Sequence, residues 1–244
     1  APEPPPLPAI DVLLYQYRIC PFCHIIRANL DFMGIPYRTV EVNPVTQSEL
    51  EFIEKPRKVP VVVLEGEVVR ESDVIVMRVK GLIESKSGDK TVLKELFPAD
   101  TEKWMAWAKE QLAVKIYPNI TRNFSEAWQA FSYTGDVTTW SWYERWGNRV
   151  VGPVAMFFAN GKVKKKYNII DERKELLATV QEWKAAIGTN NYLHGDVVTS
   201  PDLCVYGVLR AIAGFDTFNL LMEDPSLRAW YDRVDGEVEK RKAK

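Results

Sequence analysis

Cysteine and histidine are scarce in this chain of 244 residues, which has three of the first and two of the second. Three unevenly placed cysteines cannot build the disulfide framework of a small secreted domain, which points to a reducing compartment. An excess of either charge is missing too. Lys plus Arg number 32 against 33 for Asp plus Glu, a formal charge of -1, so the chain lacks the basic surplus that carries nucleic-acid affinity. No run approaches about 18 apolar residues, so nothing reads as a membrane span. Internal repeats are absent, and 46% hydrophobic with 27% charged residues is ordinary globular composition. Domains run to roughly 100–150 residues, so the length fits two packed units, or one large one.

The first ten residues read as a Pro-rich linker or tail, with five prolines between Ala1 and Pro8 that suit neither a helix nor a central strand. From 11 to 85 strand-like and helix-like runs alternate. Val12 to Tyr17 reads as a buried strand. Pro21 to Met33 reads as a helix, with Ile25, Ile26, Leu30 and Met33 at helical spacing and Gly34 as its terminator. A strand at Tyr37–Val42 and a weak helix at Gln47–Ile53 follow. Val59–Leu64 turns at Gly66 into Val68–Arg70, and Ser72 opens a helix through Ile83. The order β-α-β-α-β-β-α makes the first crossover pair parallel and the last pair antiparallel. Residues 86–100 are polar and turn-rich, a linker. From 101 to 244 the spacing predicts helices only, including Trp104–Ile116, Phe124–Phe131, Val150–Phe158, Glu172–Ile187, Pro201–Ile212 and one from Pro225. Thr199-x-x-Asp202 is a capping box for the fifth of these.

The chemistry lies in Cys20-Pro21-Phe22-Cys23, directly after the first strand and at the first turn of a helix. The helix N–H groups and dipole favour a thiolate at Cys20, below the ordinary value of about 8.5. Pro21 suits the first helical position. Cys23, one turn on, is placed to resolve a mixed disulfide. A zinc site needs four ligands, and the chain offers only Cys204, His24 and His194 besides these two, so no metal is assigned. Cys204 reads as a core thiol, and His24 and His194 as surface histidines. Val59-Pro60 opens the third strand, where a cis bond would turn the Val59 backbone outward beside Cys20. Glu71-Ser72 stands at a second helix N-terminus, which suits a carboxylate. A short peptide thiol ending in a carboxylate fits all three features, and glutathione is such a molecule. Lys162 to Lys166 reads as a solvated loop, or as a feature attracted to anionic lipid head groups. The eight tryptophans read as core, interface or an apolar lining.

These motifs resemble the glutaredoxin-type half of a glutathione transferase. More closely, Leu14-Tyr15-Gln16-Tyr17, Glu41–Val45 and Arg57-Lys58-Val59-Pro60 resemble the membrane-associated prostaglandin E synthase type 2 family. So do Val205–Arg210 and Trp230–Val234 in the second half. The resemblance implies an α/β thioredoxin-like (glutaredoxin-type) N-terminal domain followed by an all-α, glutathione transferase-like C-terminal domain. It implies a homodimer that binds glutathione and isomerises prostaglandin H2 to prostaglandin E2. Cys20 would be the essential thiol, Tyr17 and Phe22 would flank the pocket, and Val59, Pro60, Glu71 and Ser72 would hold glutathione. The family can also hold haem through bound glutathione, helped by histidine and basic side chains; the matching stretch here, Lys162 to Lys166, has no histidine. The resemblance also implies an N-terminal hydrophobic anchor outside this chain, attaching the full-length protein to a membrane on its cytoplasmic face, while the chain as given reads as soluble.

Two other functions fit the same site. One is a glutathione-dependent thiol–disulfide oxidoreductase or thiol transferase, which would put Cys23 to use. The other is a non-enzymatic carrier of glutathione-ligated haem or of an iron–sulfur cluster, with Cys20 as an anchor. The fold does not choose among them.

Overall fold

The computed structural model describes residues 7–89, 91 and 93–242. Over residues 1–6 the Pro-rich tail therefore lies outside the described residues. The first half holds β1 (Val12–Gln16), α1 (Pro21–Phe32), β2 (Arg38–Glu41), β3 (Val61–Leu64), β4 (Glu67–Arg70) and α2 (Ser72–Ser87). The sheet order is β2-β1-β3-β4. β1 pairs parallel to β2 and antiparallel to β3, and β3 pairs antiparallel to β4. This is the mixed sheet expected of a thioredoxin-like domain. One expected helix is much reduced: Gln47–Ile53 holds only a 3₁₀ turn at Ser48–Leu50, because its single buried side chain, Leu50, gives a longer helix no apolar face to bury.

Helices make up the second half: α3 (Thr101–Trp107), a π-helical stretch (Ala108–Ala113), α4 (Val114–Asn119), α5 (Phe124–Phe131), α6 (Trp142–Tyr167), α7 (Glu172–Ile187), α8 (Ser200–Arg210), α9 (Asp216–Leu221) and α10 (Pro225–Arg241). No strand longer than the single bridge Tyr192–Gly195 occurs there among the described residues. α6 runs well beyond Val150–Phe158. The Ser141–Glu144 capping box starts it, and Asn168 at φ 53 ends it, a left-handed stop of the kind asparagine tolerates. Lys162 to Lys166 are therefore its last turns and not a loop, as lysine's good helix propensity allows.

One apolar core joins the halves, with Leu14 and Ile25 on one side and Leu203, Val208 and Trp230 on the other. Each such side chain contributes about 1.5–3 kcal/mol when fully buried. The halves meet most closely where α1 crosses α8. A Cβ at Gly207 would lie 2.5 Å from the His24 carbonyl oxygen, so only glycine lets the two backbones approach this closely. Around the crossing, Ser200 Oγ donates to Asn29 Oδ1 (2.7 Å) and the Arg210 guanidinium pairs with the buried Asp31 (2.7 Å). α8 begins with the expected box, in which Asp202 Oδ2 accepts from both the Thr199 N–H (3.1 Å) and its hydroxyl (2.8 Å).

Candidate active site

β1 ends at Gln16, and its neighbour Tyr15 faces Val61, which also faces Arg70. The turn after β1, the approach to β3 and the exit from β4 therefore share one end of the sheet. This register brings the Cys20 turn, Val59-Pro60 and Glu71-Ser72 together there. The Val59-Pro60 bond is cis, as is Lys55-Pro56, and Val59 and Tyr17 both pack on the cluster of Val42, Leu50 and Val61.

Cys20 is the N-cap of α1, with Pro21 following at the first helical position. Its N–H donates to the Tyr17 carbonyl (2.9 Å) and its own carbonyl accepts from the His24 N–H (3.1 Å). Both Cys20 and Cys23 are free thiols, the first half-buried and the second buried. The Cys23 thiol, donating to Cys20, holds the Cys20 thiol below its ordinary value. The N–H groups of Cys23 and Phe22 act in the same direction, and together they outweigh burial. Burial, and the hydrogen bond given to Cys20, push Cys23 well up. The pair thus divides into a more acidic thiol at the cavity and a less acidic donor buried behind it.

Tyr17, Cys20 and Phe22 line one cavity of about 490 Å³, roofed by residues of α4 and α6. Cys23, Val59, Pro60, Glu71 and Ser72 lie outside that lining. Burial pushes the Tyr17 phenol up to about 12, so at neutral pH it stays protonated and can donate. Below the turn, the Arg18 N–H donates to Glu41 Oε1 (2.6 Å), and burial raises the Glu41 carboxyl.

Glu71 and Ser72 form a second, more polar station. Glu71 caps α2 with φ 68 and ψ 128, a backbone conformation rarely adopted by a residue with a side chain and one that clusters at functional sites. Ser72 Oγ is buried and has no hydrogen-bond partner among the described residues. An unpartnered hydroxyl beside a helix N-terminus fits a carboxylate. Lys109 of the second half ties down this corner, at 2.6 Å from Asp73 and 3.7 Å from Glu71.

Two sequence expectations, both about histidines, need correction. His24 is buried, with Nε2 2.7 Å from the Arg18 carbonyl oxygen. Burial drives its imidazole down to about 3, because α8 covers that face of α1. His194 bridges Thr199 (3.0 Å) and Asp100 (2.9 Å) and is only partly exposed. Of the tryptophans, Trp104, Trp107, Trp183 and Trp230 stack in the core as expected, Trp142 and Trp146 stand in solvent, and none lines the cavity. Cys204 is fully buried in α8, as expected.

The roof of the turn was not legible in the sequence. Tyr133, Val137 and Trp140 pack on Ile19, and the Arg18 guanidinium stacks 5.6 Å from the Tyr133 ring centre. Trp140 Nε1 donates to Glu49 (3.2 Å) and Asn148 Nδ2 to Asn43 (3.1 Å). Each bond joins the helical half to the segment between β2 and β3.

Residues 14–86 match the family model for the glutathione S-transferase N-terminal domain. Prostaglandin E synthase 2 of Danio rerio is 31% identical, and the alignment covers 92% of this chain and 70% of that protein. The chain belongs to the prostaglandin E synthase 2 family. The mouse member, from Mus musculus, is 30% identical over 95% of this chain and 71% of its own. Among solved structures, a beta-etherase from Sphingobium sp. strain SYK-6 superposes with a TM-score of 0.59 at 18% identity. It covers 94% of this chain and 98% of its own, a likeness of fold. The family's fold is thus a glutathione transferase-like one, with a mixed-sheet N-terminal domain followed by helices. Among the described residues no helix is long and apolar enough to cross a membrane.

Proposed function

We propose that this chain is a glutathione-binding isomerase of the prostaglandin E synthase type, converting prostaglandin H2 to prostaglandin E2 at Cys20. The observation that carries the reading is a thiol of lowered pKa opening into an apolar cavity of about 490 Å³, a space suited to a lipid. The name of the family's curated members supports the same reaction. The Ser72 hydroxyl, the Glu71 corner and the N-terminus of α2 would hold a carboxylate of glutathione, and the Val59 backbone its peptide part. Bound there, glutathione supplies a second thiol next to Cys20.

The chemistry balances without an external oxidant. The Cys20 thiolate attacks one peroxide oxygen, forming S–O as O–O breaks, and the other oxygen leaves as an alkoxide. The protonated Tyr17 phenol is the donor placed to meet that charge. The Tyr17 phenolate then takes the proton from the carbon bearing the sulfur-linked oxygen, and as that carbon's C=O forms the S–O bond breaks and releases the thiolate. Cys23, buried behind Cys20, positions and acidifies that sulfur.

Cys20→Ser should abolish turnover. Cys23→Ser, which keeps a donor, should retain most of it, and Cys23→Ala should lose rate as the Cys20 thiol moves up. A pH profile of Cys20 alkylation with turnover of prostaglandin H2 checks this, and equal loss in the two serine variants refutes it. A second reading, thiol–disulfide oxidoreductase, is favoured by the Cys20–Cys23 contact itself. It would win if a dithiol–disulfide exchange assay were active while prostaglandin H2 was left unconverted.

A further inference from the structure

The cavity beside Cys20 is lined without a single charged side chain. Its polar groups are the Cys20 thiol and the hydroxyls of Tyr17, Tyr117, Tyr133 and Tyr167. Tyr117 is committed, since its hydroxyl donates to the Met156 carbonyl (3.0 Å). Tyr167 closes α6 and is exposed. That leaves two phenols with protons to give beside the sulfur, Tyr17 and Tyr133.

Tyr133 lies on the 3₁₀ stretch Ser132–Asp136 between α5 and α6 and is only 8% exposed. Its ring packs on Ile19 and is faced by the Arg18 guanidinium, both on the turn that carries Cys20. Its hydroxyl makes no hydrogen bond among the described residues, although a buried phenol ordinarily finds a partner. Burial, then the charges of Glu41, Tyr17 and Cys20, push it well above the usual phenol range, so it is protonated at neutral pH. Tyr133 feels both Tyr17 and Cys20, and Tyr17 feels Cys20. The three groups therefore surround one point. An unspent donor opening on an apolar cavity is a place for an oxygen of the ligand.

A ring peroxide carries two oxygens on two different carbons. The oxygen that sulfur attacks becomes the carbonyl and the other becomes the hydroxyl, so the site has to present the correct one. We propose that Tyr133 makes this choice, its hydroxyl donating to the peroxide oxygen that Cys20 attacks while Tyr17 donates to the oxygen that leaves. The inference rests on the reaction proposed above and adds what decides its product. Sulfur bonds to the oxygen held by Tyr133 as O–O breaks, and the other oxygen takes the Tyr17 proton. The Tyr17 phenolate then removes the C–H proton, C=O forms and S–O breaks. Tyr133 keeps its own proton throughout. Its hydrogen bond draws electron density from the oxygen that becomes the carbonyl and so eases loss of the C–H proton. Two fixed donors distinguish oxygens that an apolar wall alone would treat alike.

Tyr133→Phe tests this, since it removes one oxygen atom, breaks no hydrogen bond of the fold and keeps the ring against Arg18 and Ile19; its melting temperature should match the parent's. From prostaglandin H2 the parent should give one hydroxyketone. The variant should also form the isomer with carbonyl and hydroxyl exchanged, the ratio of the two falling about fivefold. A merely structural role would lower the rate and leave that ratio alone. Binding separates the choice of oxygen from the reaction itself. Two stable bicyclic analogues, each with one peroxide oxygen replaced by a methylene, are titrated by calorimetry. Tyr133→Phe should weaken, about fivefold, only the analogue that keeps the carbonyl-forming oxygen, and Tyr17→Phe only the other. If the parent leaves prostaglandin H2 unconverted, the reaction assigned to Cys20 fails, and the binding series alone decides the role of Tyr133. An unchanged product ratio, equal weakening of both analogues, or no binding of them by the parent would each overturn the proposal.

Discussion

α8 and α6 both bear on the Cys20 turn, and they do so by opposite means. Ten residues of α8 are buried, and the helix meets α1 through backbone contact at Gly207 and through the polar contacts of Ser200 and Arg210. α6 buries only Asn148, Gly152, Pro153 and Asn160 of its 26 residues, and it lines the cavity with small and flexible side chains. The contrast separates two jobs. One helix fixes where the sulfur stands, and the other leaves room for what reaches it. Stability should therefore be concentrated on the α8 side and substrate handling on the α6 side.

The sharpest test of that division is acid. An imidazole held below its unfolded value contributes stability that is complete above the unfolded value and is lost as pH falls toward the folded one. For His24 that window runs from 6.5 down to about 3. Across it the stability of the chain should fall by up to about 1.4 kcal/mol per pH unit through this one residue. The slope should flatten in His24→Gln, as urea unfolding at a series of pH values would reveal. A smaller effect belongs to Gly207→Ala, whose methyl has no space against the His24 carbonyl. About 1–3 kcal/mol should be lost, and Cys20 alkylation should slow because α1 carries the thiol. At the roof, Trp140→Phe removes the bond to Glu49, for about 0.5–1.5 kcal/mol, and should loosen the Tyr133 cover enough to raise Cys20 accessibility to a bulky maleimide. Least of all, Phe158→Ser on the exposed face of α6 should leave the unfolding midpoint within about 0.5 kcal/mol of the parent. A large loss there would erase the contrast.

What could be read from the sequence was local. A proline after a cysteine at the end of an apolar strand, a Val-Pro before another strand and a Glu-Ser pair opening a helix each announce themselves within a few residues. The helices of the second half are legible for the same reason, since periodicity is a short-range signal. What escaped depends on distant partners. His24 looks like a surface residue until α8 is laid over it. Tyr133, Trp140 and Asn148 mean nothing until Ile19, Glu49 and Asn43 are brought beneath them. Gly147, Gly152, Pro153 and Gly161 interrupt the apolar pattern of α6 and hide its length, although two capping signals 27 residues apart, Ser141 and Asn168, frame it.

The bare crossing at Gly207 also bears on engineering by exchange of parts. Grafting this sulfur-bearing half onto a foreign helical partner would succeed only if that partner offers a side-chain-free residue at the same crossing. With anything larger there, the graft would push the whole first helix aside and carry its reactive end out of register with the cavity wall.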